Sequence, residues 1–329
     1  MKPTRRVLML GASAAVLAGP LTASFAGGAR AQTFPRQIRI VVPYPPGGGA
    51  DTTARFIQNP LQEALGATVV VENKPGAAGM IGDEVVAKAT PDGGTLLLGA
   101  FAHAVNPLIQ PKMPFKTPDD FAPVSLLTSV PELLVITPSH EARTVADLVA
   151  LAKARPGTLF YASSGAGSAQ HLAAELFKLR TGTDIGHVPY KGGGLAVGDV
   201  AAGHIPFYFG NMSAALPQAR AGHVRALAVT SAQRSPAAPD VPTMEEAGVK
   251  GCVISEWNGI LAPAGTPQPL VDRLSATLAR IMRDPAIKAK FTDLGVDAIG
   301  STPVELAAFM EDERKKWAEV VKAANIKIE

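Results

Sequence analysis

Apolar and polar positions divide the chain into short alternating units. Ile38, Ile40, Val41 and Val42 form a β-branched run that predicts a buried strand. Pro43, Pro45 and Pro46 end it, because proline cannot donate to a ladder. Three glycines follow, then a helical period over residues 54–65 that stops at Gly66, and a second strand at 68–71. The turn N-K-P-G-A-A-G (73–79) leads into a helix through Ala89, and 95–98 is a third strand, followed at its carboxyl end by the run 99–106. After a proline-rich stretch the alternation resumes. Thr144 and Asp147 open a helix in capping-box style, 158–162 is a strand, and 169–179 is a helix. Strands are predicted at 185–188, 205–209 and 224–229, with a helix at 195–202 between the first two. In the tail, Thr302-Pro303-Val304-Glu305 is a capping box, and Leu306, Phe309, Met310, Trp317, Val320 and Val321 keep a helical period.

Strands and helices alternating at this length predict βαβ units and mainly parallel sheets. The strand–glycine loop–helix arrangement of residues 38–55 recurs at 158–179. Two such units, one in each half, predict two α/β lobes facing each other across a cleft. The extended apolar segments near 130–135 and 256–261 are the expected crossovers and hinges.

The first residues are patterned differently. Lys2, Arg5 and Arg6 precede an apolar stretch over 7–21, and Ala29-Arg30-Ala31 fits an A-x-A cleavage site, so residues 1–31 are expected to be an export signal cleaved near Ala31. The twin-arginine flavour of T-R-R-V-L leaves Sec and twin-arginine export both open. Removing the four basic residues of that segment from 31 leaves 27 against 28 acidic groups, and the formal net charge moves from +3 to −1. The basic character therefore belongs to the leader and gives no argument for nucleic acid. Cys252 is alone, so no intramolecular disulfide is expected.

The candidate chemistry lies in the loops. A strand, a glycine-rich loop and a helix start make an anion site, because backbone N–H groups converge there. A dinucleotide fold would need G-x-G-x-x-G, but the third position is Thr52, and Glu72, at the distance of a ribose contact, reads better as the start of the E-N-K-P-G turn. Three prolines stiffen the loop, so a carboxylate suits it better than a pyrophosphate. Around Ser168 the sequence is G-A-G-S-A and not G-x-S-x-G, so Ser168 and His171 read as a helix cap that can also touch an anion. The six histidines show no H-x-x-x-H pair, and neither a metal nor a cofactor is expected. Asp51 is expected to cap its helix or pair with Arg55, with a ligand's amino group as the alternative. Lys191 reads as a solvated turn residue.

Several motifs, in order, resemble one family. They are V-P-Y-P-P-G-G-G-A-D, G-A-A-G (76–79), S-S-G-A-G-S-A-Q-H-L (163–172) and V-P-Y-K-G-G-G (188–194). R-A-L-A-V-T (225–230), P-D-V-P-T (239–243) and L-A-P-A-G-T-P (261–267) continue the match through nearly all of the chain after the leader. The family is that of the extracytoplasmic solute receptors of tripartite tricarboxylate transporters, also called Bug receptors. The resemblance implies a type II periplasmic binding protein fold, with lobe 1 at 32–132 plus 258–329 and lobe 2 at 133–257. It implies a periplasmic monomer, not an enzyme, that takes a small carboxylate ligand and delivers it to transporter membrane subunits. An exported sensor or a nucleotide-dependent enzyme are the alternatives.

Carried over by position, the expected ligand contacts are Tyr44, Gly48, Gly49, Ala50 and Asp51 in the first loop, Gly79, and Phe101 and His103 after the third strand. In the second half they are Ser164, Ala166, Gly167, Ser168, His171 and Asn211. The chain departs from the family pattern at Ala166, at Gly210, and at Phe101-Ala102-His103, where a more polar run is usual. Dicarboxylates, aromatic acids, amino acids and nicotinate-like compounds all stay open as ligands.

Overall fold

The apolar runs become strands, and two long central strands join two sheets into one curled surface. The computed structural model describes residues 33–110, 112–324 and 326. The expected export segment and its cleavage point lie outside the described residues. The chain begins with β1 (Gln37–Val42), α1 (Gly49–Leu65), β2 (Thr68–Asn73), a short 3-10 turn (Ala77–Gly79), α2 (Met80–Ala87), β3 (Thr95–Ala100) and α3 (Phe101–Ile109). Strand β4 (Phe121–Ile136) leads to α4 (Val145–Ala154), β5 (Phe160–Ser163), α5 (Ala169–Thr181), β6 (Gly186–Pro189) and α6 (Gly193–Ala201). Then come β7 (Phe207–Asn211), α7 (Met212–Arg220) and β8 (Arg225–Val229). The return path is β9 (Ser255–Pro263), α8 (Gln268–Arg283), α9 (Pro285–Asp293), β10 (Asp297–Ala298) and α10 (Pro303–Ala323).

Along the sheets the order is β2-β1-β3-β9-β4-β7-β5-β6. Outer strands pair parallel, as βαβ crossovers require, while β4 and β9 run antiparallel to their neighbours. Helices cover both faces, so β1 is buried on both sides. Ile38, Ile40 and Val42 pack with Ile57 and Leu61 of α1, whereas Val41 faces Leu97, Phe101 and Trp317. The α/β two-lobe binding-protein architecture expected from the alternation is present.

The joint between the lobes is local. From Phe121 to Pro131 strand β4 pairs with β9, and from Glu132 to Ile136 it pairs with β7. Pro131 has no N–H, and at the next residue the Glu132 amide donates to Thr230 Oγ1 at 2.8 Å. The same hydroxyl donates to the Ile254 carbonyl at 2.7 Å, and the Ile254 amide returns to the Thr230 carbonyl at 3.1 Å. One wholly buried threonine thus ties both chain crossings. The expected crossover segment 256–261 lies within β9, which is paired with β4 from Ser255 onward.

Three elements differ from expectation. Helix α1 starts at Gly49 and not near 54, with Gly48 as N-cap and no side-chain cap. The run 99–106 is mostly helix α3, because Phe101, Ala104 and Val105 bury one helical face. Segment 268–293 adds two helices, with α8 burying Leu270, Leu274, Leu278 and Ile281. The capping boxes at Thr144–Asp147 and Thr302–Glu305 are both closed.

Gly82 of α2 fixes the distance of that helix from the first loop. A Cβ there would lie 2.8 Å from Pro43 Cβ and 2.9 Å from Pro43 Cα. Overpacking of about 1–3 kcal/mol outweighs the roughly 1 kcal/mol that alanine gains in helix propensity. Gly82→Ala is therefore expected to lower stability by about 1 kcal/mol in urea unfolding; an unchanged or higher midpoint would contradict this packing.

Candidate functional site

Both glycine-rich loops end strands of parallel pairs and open helices, the position where α/β sheets gather ligands. In the first, Pro43 to Gly48 turns the chain from β1 into α1. Asp51 does not cap from outside the helix. Its Oδ2 accepts from the Gly47 amide at 3.0 Å and from Arg55 Nε at 2.9 Å, and its Oδ1 accepts from Asn73 Nδ2 at 3.0 Å. Burial alone would raise its pKa, but the guanidinium and the two amide donors hold it down at about 2. These three donors make Asp51 a brace of the loop. The amides of Gly49, Ala50 and Asp51, the first turn of α1, have no acceptor among the described residues.

The second loop runs from Ser163 to Ser168. Ser168 Oγ accepts from the His171 amide at 3.2 Å, the expected cap. The Gly167 amide donates to His171 Nδ1 at 3.0 Å, and the Ser168 amide donates to the Gly165 carbonyl at 3.2 Å. Those two amides are therefore committed, while the amides of Ala166, Ala169 and Gln170 have no acceptor among the described residues.

His171 lies in a stack with His187, ring centres 4.1 Å apart, which continues to Tyr161 at 4.8 Å from His187. Burial, then the Lys178 charge, lowers His171 to about 4; burial and then His171 lower His187 to about 4. Both rings are neutral near pH 7, and protonating His171 Nδ1 would break the Gly167 bond. His187 Nε2 also lies 2.7 Å from Ser163 Oγ, a serine–histidine pair that the motif survey had not singled out. Ser163 is wholly buried, and its Oγ accepts from the Gly165 amide, so the pair braces the loop from behind.

Other expected contacts divide. Gly79 is buried at φ 93°, and a Cβ there would approach the Tyr44 hydroxyl at 3.6 Å, so Tyr44 lies over this turn. Asn211 caps α7 through its Oδ1 and donates its Nδ2 to Glu256 Oε2. Ser164 Oγ donates to Gln170 Oε1. Phe101 and His103, two of the expected contacts, turn their side chains into the core. Phe101 meets Trp317 edge-on at 5.2 Å, while His103 Nδ1 is 2.8 Å from Asp83 Oδ2 and its ring meets Phe121. The helical period of α3 takes them there, and the buried faces of β4 and α10 receive them. Lys191 is exposed.

Two carboxyls that the sequence survey missed stand at the lobe joint. Glu132 is wholly buried, and its Oε1 accepts from Gln170 Nε2 at 3.0 Å. Glu256 Oε1 accepts from the same Gln170 Nε2 at 3.3 Å. Each is the lone charged residue of an apolar run, 124–137 and 253–262, and that solitude was the available signal. An apolar pocket lined by Ala104, Phe121, Leu261, Met310 and Arg314 lies elsewhere, between α3 and α10. None of the expected contact residues lines it.

The family described as Tripartite tricarboxylate transporter family receptor (TctC) matches residues 53–326. Protein BugT of Bordetella pertussis is 39% identical over 310 residues, covering 93% of this chain and 95% of its own. A solved R. palustris protein with adipate is 38% identical with TM-score 0.81, over 88% of this chain and 98% of that one. MatC from Rhodopseudomonas palustris with bound malate is 32% identical with TM-score 0.76, over 87% and 98%.

The bracing role of Asp51 has a pH signature. Its native pKa lies below the ordinary 3.8, so its contribution is complete above about pH 4 and is lost as pH falls toward 2. Asp51→Ala is expected to cost about 1–2 kcal/mol at pH 7, discounted because Arg55 is half exposed. The difference from wild type should shrink between pH 4 and pH 2.5 in urea unfolding. A difference independent of pH would contradict it.

Proposed function

Since this chain belongs to the tripartite tricarboxylate transporter receptor family, with Bug proteins among its relatives, we propose that it captures a small organic carboxylate between its lobes. Delivery to the membrane subunits of a tripartite transporter, from the periplasm, completes the reading. One observation carries it: the free amides at the starts of α1 and α5, set on loops without a lysine or arginine. Helix N-termini of this kind hold carboxylates through backbone donors and the helix dipole. Relatives solved with adipate and with malate support the ligand class. Among the described residues no helix is long and apolar enough to cross a membrane, and no His, Cys, Asp and Glu cluster suits a metal.

The first loop supplies Gly48, Gly49 and Ala50, and Tyr44 over Gly79 walls it. The second supplies Ala166, the Ser168 hydroxyl and the first amides of α5, and Asn211 stands at its side. Each charge-assisted hydrogen bond contributes roughly 1.5–3 kcal/mol. Four of them, less the costs of association and closure, correspond to a Kd of order micromolar. Closure pivots where β4 changes partners beside Pro131 and where the chain enters β9.

Calorimetry with adipate and malate tests the reading: micromolar to submillimolar binding of either is expected, and no heat with any small carboxylate would refute it. Gly48 has φ −80°, and a Cβ there would make only an ordinary 3.8 Å contact with the Pro45 carbonyl oxygen, so Gly48→Val should fold normally and abolish binding by filling the cradle. Retained affinity in that variant would show that the amides are not the site. Ser168→Ala removes a cap as well as a donor, so about tenfold weaker binding should accompany about 1 kcal/mol lower stability.

Small-angle scattering should show a smaller radius of gyration at saturating ligand. An unchanged radius would count against a hinge at the two crossings.

A further inference from the structure

We propose that the Tyr208 hydroxyl and the start of α6 form a second anion subsite, which holds the far carboxylate of a dicarboxylate ligand. The inference rests on the carboxylate reading and names what takes the other end of the same ligand. Topology places the subsite. Strand β5 pairs in parallel with β6 on one side and with β7 on the other. Leu172 and Ala173 of α5 share one buried cluster with Tyr161 and Phe207, whereas Ala196 and Val200 of α6 share the other with Ala162 and Tyr208. The two helices therefore lie on opposite faces of one sheet. The carboxyl ends of β5 and β7 then flank a switch point, where open α/β sheets take ligands.

Helix α6 is nine residues long, with Gly192 as N-cap and no side-chain cap. The amides of Gly193, Gly194 and Leu195 have no acceptor among the described residues. This turn lies against the second glycine loop. The Tyr190 amide donates to the Ser163 carbonyl at 3.0 Å, and a Cβ on Gly165 would lie 3.5 Å from the Tyr190 carbonyl oxygen.

The independent sign of a ligand is Tyr208, which is 1% exposed and whose hydroxyl has no hydrogen-bond partner among the described residues. Trp257 Nε1 and Glu132 Oε2 are also unpaired but sealed from solvent, whereas the Tyr208 hydroxyl is not sealed. Two glycines make room for this side chain. A Cβ on Gly193 would lie 2.7 Å from the hydroxyl, and one on Gly210 would lie 2.6 Å from ring atom Cε1. Neither glycine has a positive φ, so it is the tyrosine and not the backbone that requires glycine there. The ring thus runs along β7 over Gly210, and its hydroxyl meets the first residue of α6. Tyr44 holds a similar relation to α2, its hydroxyl beside Gly79, the N-cap of that helix.

Burial, then the Glu132 and Glu256 charges, raise the Tyr208 hydroxyl well above its ordinary range, so it keeps its proton and can donate. Burial raises Glu132 and Glu256 as well, which lessens the negative charge near the subsite. One hydroxyl and the amides of one helix start, all neutral, suit a carboxylate as the starts of α1 and α5 do. A monocarboxylate on those first amides leaves these donors unpaired; a dicarboxylate fills both sites.

Calorimetry at pH 7 with adipate against hexanoate, and succinate against butyrate, is the test, since a methyl replaces the second carboxylate in each pair. In the wild type at least one dicarboxylate is expected to bind about tenfold or more tightly than its monocarboxylate. Tyr208→Phe removes the hydroxyl alone and should cut that ratio about tenfold, while the monocarboxylate binds as before. A merely structural role would weaken both ligands alike, and that outcome overturns the subsite. Gly193→Ala drives a methyl against the hydroxyl and should also lower the ratio; it decides the matter if Tyr208→Phe does not fold. A wild-type ratio near one, or a ratio that the variant leaves unchanged, overturns the subsite and leaves the carboxylate reading standing. If these four acids and malate all fail to bind, the carboxylate reading falls and takes the subsite with it.

Discussion

Pro131 leaves the strand that joins the two sheets without an amide donor at the point where its partners change. Thr230 resolves this by accepting from the Glu132 amide and donating to the Ile254 carbonyl, so both chain crossings hang on one buried side chain. Backbone bonds accompany that hydroxyl, from the Thr230 amide to the Glu132 carbonyl at 2.9 Å and from the Ile254 amide to the Thr230 carbonyl at 3.1 Å, so the two sheets stay continuous here. Regular pairing resumes on either side, with β9 on one and β7 and β8 on the other.

The loops that hang from this frame owe their shape to anions and amides of the chain itself. From the first turn of α1 the Asp51 carboxylate reaches back to the loop as a bound carboxylate would, and its three donors fix that turn before any ligand arrives. In the second loop His171 and Ser168 play the same part, taking the amides of Gly167 and of His171 itself. What stays free is the set of amides beyond each brace. Such donors are fixed in direction and cost little to order, which is how an anion can be held without a lysine or arginine in either loop. Against them stand Glu132 and Glu256, carboxyls that the crossings carry into the same region.

Much of this was legible in the chain. β1, the glycine loops, the capping boxes at Thr144 and Thr302 and the stripe of α10 follow from local rules: periods of burial, residues that lack a donor, and side chains that reach their own backbone. The motif series pointed to the same two-lobe fold because glycines and prolines at fixed spacing report backbone shape directly. Helix α8 was not read from the chain, although Leu270, Leu274, Leu278 and Ile281 carry its buried stripe. By itself, then, the sequence determined the elements, the two halves and the two anion loops, since each depends on neighbours within a few residues. Tertiary structure alone decided which amides those loops leave free, that Phe101 and His103 turn inward onto Trp317, Asp83 and Phe121, and that Gln170 bridges Glu132 to Glu256. Those contacts join residues up to hundreds of positions apart, and no local period or spacing encodes which of two faces a side chain meets once sheets have packed.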